Sequence, residues 1–226
     1  MSCILNIETS TNVCSVALSF HQEILFSRES KEGLHSSLLG VFVAEAVSHV
    51  RSAGLHLDAV AVSAGPGSYT GLRIGVSAAK GLCYGLDIPL ISIPTLKIMT
   101  QAVVLAEEFT FYCPMIDARR MEVYAAIYDK YLNEIKPVAA DIIDSNSYKD
   151  YLQKGKVLFF GNGAGKCSGI INSPHAFFRE DVYPSAVFMV DLSADYFRNG
   201  IFEDTAYFEP FYLKEFQTTP SRNKVI

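Results

Sequence analysis

The chain has 226 residues, half of them apolar and 19% charged, with a formal net charge of −5. That length supports a full hydrophobic core in one large or two small domains, and the composition excludes a disordered chain. The acidic balance argues against a nucleic-acid binder acting alone, because phosphate binding draws on clustered lysine and arginine.

Five cysteines, Cys3, Cys14, Cys83, Cys113 and Cys167, lie far apart with no Cys-x-x-Cys pair. Reduced, buried thiols in a cytoplasmic protein are expected from that pattern. Neither a leader nor a long apolar run is read in the sequence, so export and membrane spanning are not expected.

The predicted elements begin with a meander of three strands, Cys3 to Ile7, Val13 to Phe20 and Glu23 to Ser27, the first turn carried by Glu8 to Asn12. Gly33 to Ala53 has helical spacing and is closed by Gly54. A short buried strand, Leu57 to Ser63, leads into a glycine-rich loop and helix over Gly65 to Gly85. Ile88 to Ile93 reads as a strand, and Pro94-Thr95 opens a helix reaching about Glu108.

A second set of strands follows at Thr110 to Asp117, Glu122 to Tyr128 and Ile135 to Ile143. Then come a short helix, Asn146 to Gln153, a strand, Lys156 to Gly161, and a helix, Ala186 to Phe197, with Ser185 placed to cap it. A meander followed by alternating helices and strands, twice over, predicts two α/β lobes with mixed sheets flanked by helices. The expected division is 1–104 and 105–226.

The stretch from Ala64 to Gly85 holds six glycines, each costing a helix interior roughly 1 kcal/mol relative to alanine. Either a phosphate or another helix could require them. At 100° per residue, Leu72, Val76, Ala79 and Cys83 form one apolar face. Gly71, Ile74, Gly75, Ala78, Gly81, Leu82 and Gly85 form a second, nearly flat one, and Arg73, Ser77, Lys80 and Tyr84 a polar stripe. The preceding helix is apolar over an arc of roughly 240°, where a monomer's surface helix needs little more than 100°. The surplus is Leu34, Leu38, Val41 and Phe42. Packing within the chain would account for these residues; an exposed remainder would mark a protein-binding patch.

Chemical motifs are weak by comparison. The spacing of GPGSYTG matches neither nucleotide-binding pattern, and Ser68 or Thr70 serves as a helix cap, the reading preferred to a phosphate cradle. Gly165-Lys166 ends in Cys167 where a P-loop needs a hydroxyl, and Phe160 replaces its first glycine. No two of the five histidines stand three or four apart, so no helix pairs imidazoles for a metal. Asp117, Arg119, Arg120 and Glu122 cluster at a strand turn, where ion pairs within a hairpin are the expected explanation in preference to acid–base catalysis, with one arginine facing the cleft between the lobes as the alternative.

The segments ILNIETST and NVCSVAL between Ile4 and Leu18, GPGSYTGLRIG at Gly65 to Gly75, IPTL at Ile93 to Leu96 and IDARRMEVY at Ile116 to Tyr124 resemble the bacterial TsaB (YeaZ) family, in the family's order. The resemblance implies the two-lobed actin-like ATPase fold of the sugar kinase, heat-shock and actin superfamily. It also implies a non-catalytic subunit of the complex that makes N6-threonylcarbamoyladenosine in tRNA. In that complex the paralogue TsaD is the catalytic partner and TsaE an ATPase that docks on the pair, and tRNA is met only through the assembly. TsaD holds its metal through His-x-x-x-His; here the run is His35-Ser-Ser-Leu-Leu39, so neither catalytic, cofactor nor metal residues are expected.

The contact with TsaD implied by the resemblance is assigned to Leu34, Leu38, Val41, Phe42, Ile74, Gly75, Ala78 and Leu82. A bulky or charged residue at Gly75 or Ala78 is expected to break it while sparing the fold. The same surface would serve a homodimer when the chain is alone. The rival reading is an independent actin-fold ATPase or a glycoprotease-like metallopeptidase.

Overall fold

The computed structural model describes residues 2–106 and 108–214. The expected second lobe runs on to residue 226, and its stretch 215–226 lies outside the described residues. The first sheet is built from β1 (Cys3–Glu8), β2 (Cys14–Phe20), β3 (Glu23–Ser30), β4 (Ala59–Gly65) and β5 (Leu90–Pro94), in the order β3-β2-β1-β4-β5. The meander pairs antiparallel, β4 joins β1 in parallel, and β5 joins β4 in parallel.

The second sheet repeats the plan. It contains β6 (Phe111–Asp117), β7 (Glu122–Tyr128), β8 (Glu134–Ile142), β9 (Val157–Phe160) and β10 (Ala176–Arg179), in the order β10-β9-β6-β7-β8. Here too the first three strands pair antiparallel and the last two add in parallel on the other side of the first. Glu8 at the end of β1 and Asp117 at the end of β6 therefore hold equivalent places. This is the actin-like ATPase architecture, two mixed sheets flanked by helices.

Helices α1 (His35–Ser52) and α2 (Tyr69–Leu86) cover one face of the first sheet, where Leu39, Ala46 and Val50 of α1 and Val76, Ala79 and Cys83 of α2 meet Leu5, Ile7, Val16 and Val62. Gly54 closes α1 in a left-handed conformation, φ +66°, as its place after the last periodic residue predicts. The other face carries α3 (Thr95–Val104), the 3-10 turn Ala186–Met189 and the last helix, Val190–Arg198. Ile98 of α3 packs on the first sheet while Leu96, Met99 and Val103 pack against Tyr112, Leu158 and Phe160 of the second. One helix thus serves both sheets.

Several expectations are corrected. Helix α3 stops at Val104, short of Glu108, and the long C-terminal helix is two pieces, 3-10 then α. Ser185 makes no side-chain cap; its hydroxyl donates to Glu29 Oε2 at 2.6 Å instead. Strand β10 and the one-turn helices α4 (Lys149–Leu152) and α5 (Gly165–Ser168) complete the second unit; with the C-terminal helix numbered α6, the order is full. Neither β10 nor α5 is read in the sequence. All five cysteines are buried and unpaired, as their spacing predicts.

Candidate partner-docking groove

Ser68 caps α2 by accepting a hydrogen bond from the N–H of Gly71 at 3.3 Å, which settles why a hydroxyl residue precedes this helix. The glycines around it have a third explanation, distinct from phosphate and partner helix. A Cβ on Gly67 would overlap the carbonyl of Ser10, one on Gly71 the carbonyl of Thr9, and one on Gly75 the hydroxyl of Thr9. The loop ending β1 lies directly on the first turns of α2, and only hydrogen atoms fit between them. The hydroxyl of Thr9 donates to the carbonyl of Gly71 at 2.8 Å, and the N–H of Ser68 donates to the carbonyl of Ser10 at 2.6 Å. Carbonyl oxygens fill the place a phosphate would need, which weighs against a cradle at this loop.

Gly75 therefore looks inward. It is buried, and a side chain there strains the fold before it meets any partner. The other seven residues of the expected contact remain on or near the surface: Leu34 and Val41 are 48% and 51% exposed, and Leu38, Phe42, Ile74, Ala78 and Leu82 are half-buried.

Between α1 and α2 runs an open, mainly apolar groove of about 400 Å³, with Leu39, Gly40 and Val43 on one side and Ile74, Ala78, Gly81 and Leu82 on the other. Gly40 and Gly81 differ from the glycines above, because a Cβ at either position meets nothing within 4 Å. Each costs its helix about 1 kcal/mol with no packing need inside the chain. What they provide is depth in the groove.

Two residues of the polar stripe of α2, Arg73 and Lys80, are tied to the chain's own segment 206–212, while Ser77 and Tyr84 stay exposed. Lys80 Nζ donates to the carbonyls of Ala206 and Phe208, both at 3.0 Å, and Arg73 reaches the Tyr212 hydroxyl at 3.4 Å. With its inner face on the sheet and two polar residues bound to that segment, α2 presents its groove side to the outside.

His35 lies at the groove edge with Nδ1 3.2 Å from the carbonyl of Gly33 and Nε2 3.2 Å from that of Val13. The ring ties α1 to the start of β2, and Leu39, where the resemblance implies that a second metal ligand has been lost, is packed into the core.

Glu8 is the most perturbed acid described. It is fully buried; its Oε1 accepts from the N–H and the hydroxyl of Ser10, each at 2.5 Å, while Oε2 has no partner. Burial pushes its pKa up to about 7, with the bonds from Ser10 pulling the other way. No sequence signal marks this. An acid at the end of a buried strand is the only clue.

At the end of β6 the expected ion pairs form with different partners. Asp117 is taken by Lys166 and Glu122 by Lys214, not by the neighbouring arginines. The lysine that gives Gly165-Lys166 its P-loop look spends its ammonium on this hairpin, donating also to the carbonyls of Arg120 and Glu122 at 2.8 and 2.7 Å.

Comparison with known proteins decides the family. The family described as TsaD: tRNA N6-adenosine threonylcarbamoyltransferase matches residues 29–185. The tRNA threonylcarbamoyladenosine biosynthesis protein TsaB of Escherichia coli is 29% identical over 221 residues, which cover 93% of this chain and 94% of that protein. The chain belongs to this family, in its TsaB (YeaZ) branch. TsaB of Haemophilus influenzae is 36% identical over 121 residues, a match covering 54% of this chain and about half, 51%, of that relative's length. The solved structure of YeaZ from Pseudomonas aeruginosa superposes with a TM-score of 0.82 at 25% identity, covering 94% of this chain and all of that one. Among the described residues no helix is long and apolar enough to cross a membrane.

Proposed function

We propose that this chain is a non-catalytic scaffold and activator subunit of the assembly that forms N6-threonylcarbamoyladenosine in tRNA. It binds a TsaD-type catalytic partner through the groove between α1 and α2 and helps to recruit a TsaE-type ATPase. The tRNA is met through the assembly, in the cytoplasm, and alone the chain pairs with a second copy over the same surface. Relatives named for this biosynthesis support the process, and the groove supports the role.

The observation that carries the reading is the pair Gly40 and Gly81, two helix glycines whose missing side chains benefit nothing in this chain and deepen an apolar groove. A ridge of small side chains from another helix would fit there at close range. Exposed Leu34 and Val41 extend the apolar surface beyond the groove.

The test is reconstitution with a cognate TsaD-family protein, TsaE, tRNA and threonylcarbamoyl-adenylate, with this chain present or left out. Loss of the modified nucleoside on omission is the expected result, together with a co-eluting complex of the two paralogues. Robust ATP turnover or proteolysis by the isolated chain would overturn the scaffold reading in favour of an independent enzyme.

A further inference from the structure

The turn joining β6 to β7 places Arg119 at φ +70° and Arg120 at φ +51°, two consecutive left-handed residues. Turn chemistry would put Asn-Gly or Asp-Gly in such a place, since a side chain with Cβ disfavours that conformation and those residues tolerate it. Two arginines there are a choice made against the backbone.

Other residues are spent to hold that conformation. The carboxylate of Asp117 accepts the N–H of Arg119 at 2.9 Å and also the ammonium of Lys166. Lys166 has three donors, and Asp117, the carbonyl of Arg120 and the carbonyl of Glu122 use all of them. Asn162 Oδ1 further accepts the N–H of Asp117 at 3.0 Å. The tip is thereby fixed before any ligand arrives, and both arginines are exposed. Neither guanidinium has an ion pair or hydrogen bond with a side chain or carbonyl among the described residues, because the nearby carboxylates are already occupied by lysines.

Two exposed arginines on a backbone held in place, neither guanidinium hydrogen-bonded to a side chain among the described residues and that of Arg119 acting on Asp117 through its charge alone, sit at the carboxyl end of β6, the rim where ligands approach sheets of this kind. Guanidinium forks match the paired oxygens of phosphate. We propose that Arg119 and Arg120 form a phosphate clamp that grips the sugar-phosphate backbone of the substrate RNA once the assembly has formed. This rests on the reading of the chain as a subunit of a tRNA-modifying assembly, and adds to it a direct contact with RNA.

The test replaces Arg119→Asn together with Arg120→Gly, the pair that turn physics prefers. A fluorescently labelled, unmodified tRNA transcript is titrated with the chain alone and with the chain plus its TsaD-family partner, across a salt series. Partner binding is measured separately without RNA. The expected result is a higher melting temperature for the double variant, unchanged partner binding, at least tenfold weaker RNA binding and a log K against log salt slope shallower by about 1 to 2. Unchanged RNA affinity and slope overturn the clamp and leave the scaffold reading intact. Loss of the partner without RNA also overturns it, because the arginines then serve an acidic protein surface. If the unaltered chain binds no TsaD-family protein, the scaffold reading fails, and the clamp, which acts in the assembly, fails with it.

Discussion

The hydroxyl of Thr9 bonds to the carbonyl of Gly71 at 2.8 Å, joining residues 62 apart in the chain and fixing the first turn of α2 to the end of β1. The helix that forms one wall of the groove is thus positioned from its inner side by the loop that carries Glu8. Anything that pushes this loop away from α2 moves the groove wall.

Alanine at Gly71 or Gly75 is expected to do so. The added Cβ collides with the carbonyl or hydroxyl of Thr9, which is fully buried. Overpacking of this kind costs about 1–3 kcal/mol. Urea unfolding of Gly71→Ala and Gly75→Ala should show that loss, with partner binding reduced as a secondary effect of the displaced helix.

The opposite sign is expected at the groove glycines. Gly40→Ala and Gly81→Ala add a methyl group where nothing lies within 4 Å and remove a helix-breaking residue. Each should stabilise the isolated chain by about 0.5–1 kcal/mol. Calorimetric titration with the TsaD-family partner should nevertheless show weaker binding. If the two variants bind it as tightly as the parent, the groove is not the docking surface.

A charge in the groove separates docking from folding more sharply. Ala78 and Leu82 are half-buried at the groove wall, and Leu82 packs only at the margin of the core. Ala78→Glu places a carboxylate where an apolar ridge would have to sit, and its desolvation is uncompensated. A loss of at least tenfold in partner affinity, about 1.4 kcal/mol, is expected, with a melting temperature close to the parent's.

How much of this was legible in the sequence follows from the distances involved. Strand and helix order comes from local periodicity, so β1 to β9 and α1 to α3 are read correctly within a few residues. Leu34 and Val41 could be singled out because an apolar arc wider than a core needs is a local property. The division of the α2 glycines into inward and outward sets was not legible, because it depends on Thr9 and Ser10, some sixty residues away. The role of Lys166 was illegible for the same reason: a P-loop could be rejected on Phe160 and Cys167, but its partners, Asp117, Arg120 and Glu122, lie 44 to 49 positions earlier. Strand β10, Ala176–Arg179, is too short to show an alternating pattern, and it exists by pairing with β9.

Removing Lys166 tests the hairpin itself. Lys166→Met leaves Asp117 and two carbonyls without their shared donor at a partly exposed site, which should cost about 1–2 kcal/mol. Partial burial raises the pKa of Asp117, but the bonds from Lys166 and the N–H of Arg119 outweigh it and hold the carboxyl below its ordinary range. That stabilisation is present above the unfolded pKa of an aspartate and disappears as the pH falls through the lower folded value. The Lys166→Met penalty should therefore shrink below about pH 4 in acid-unfolding experiments.

Glu8 gives the opposite dependence. Its folded pKa, about 7, lies above the ordinary glutamate value, 4.5, because burial disfavours the charged form. Between those two values the folded chain holds a proton that the unfolded chain has released, so stability falls as the pH rises, by about 1.4 kcal/mol per unit. Below the lower value both states are protonated and the contribution is fully present; above the higher one it is gone. Glu8→Gln keeps an oxygen to accept both Ser10 bonds and removes the titration. Denaturant unfolding of this variant at pH 5, 6, 7 and 8 should give a flatter profile than the parent, with the variant gaining most at pH 8. Parallel profiles for the two proteins would show that Glu8 is not the group responsible.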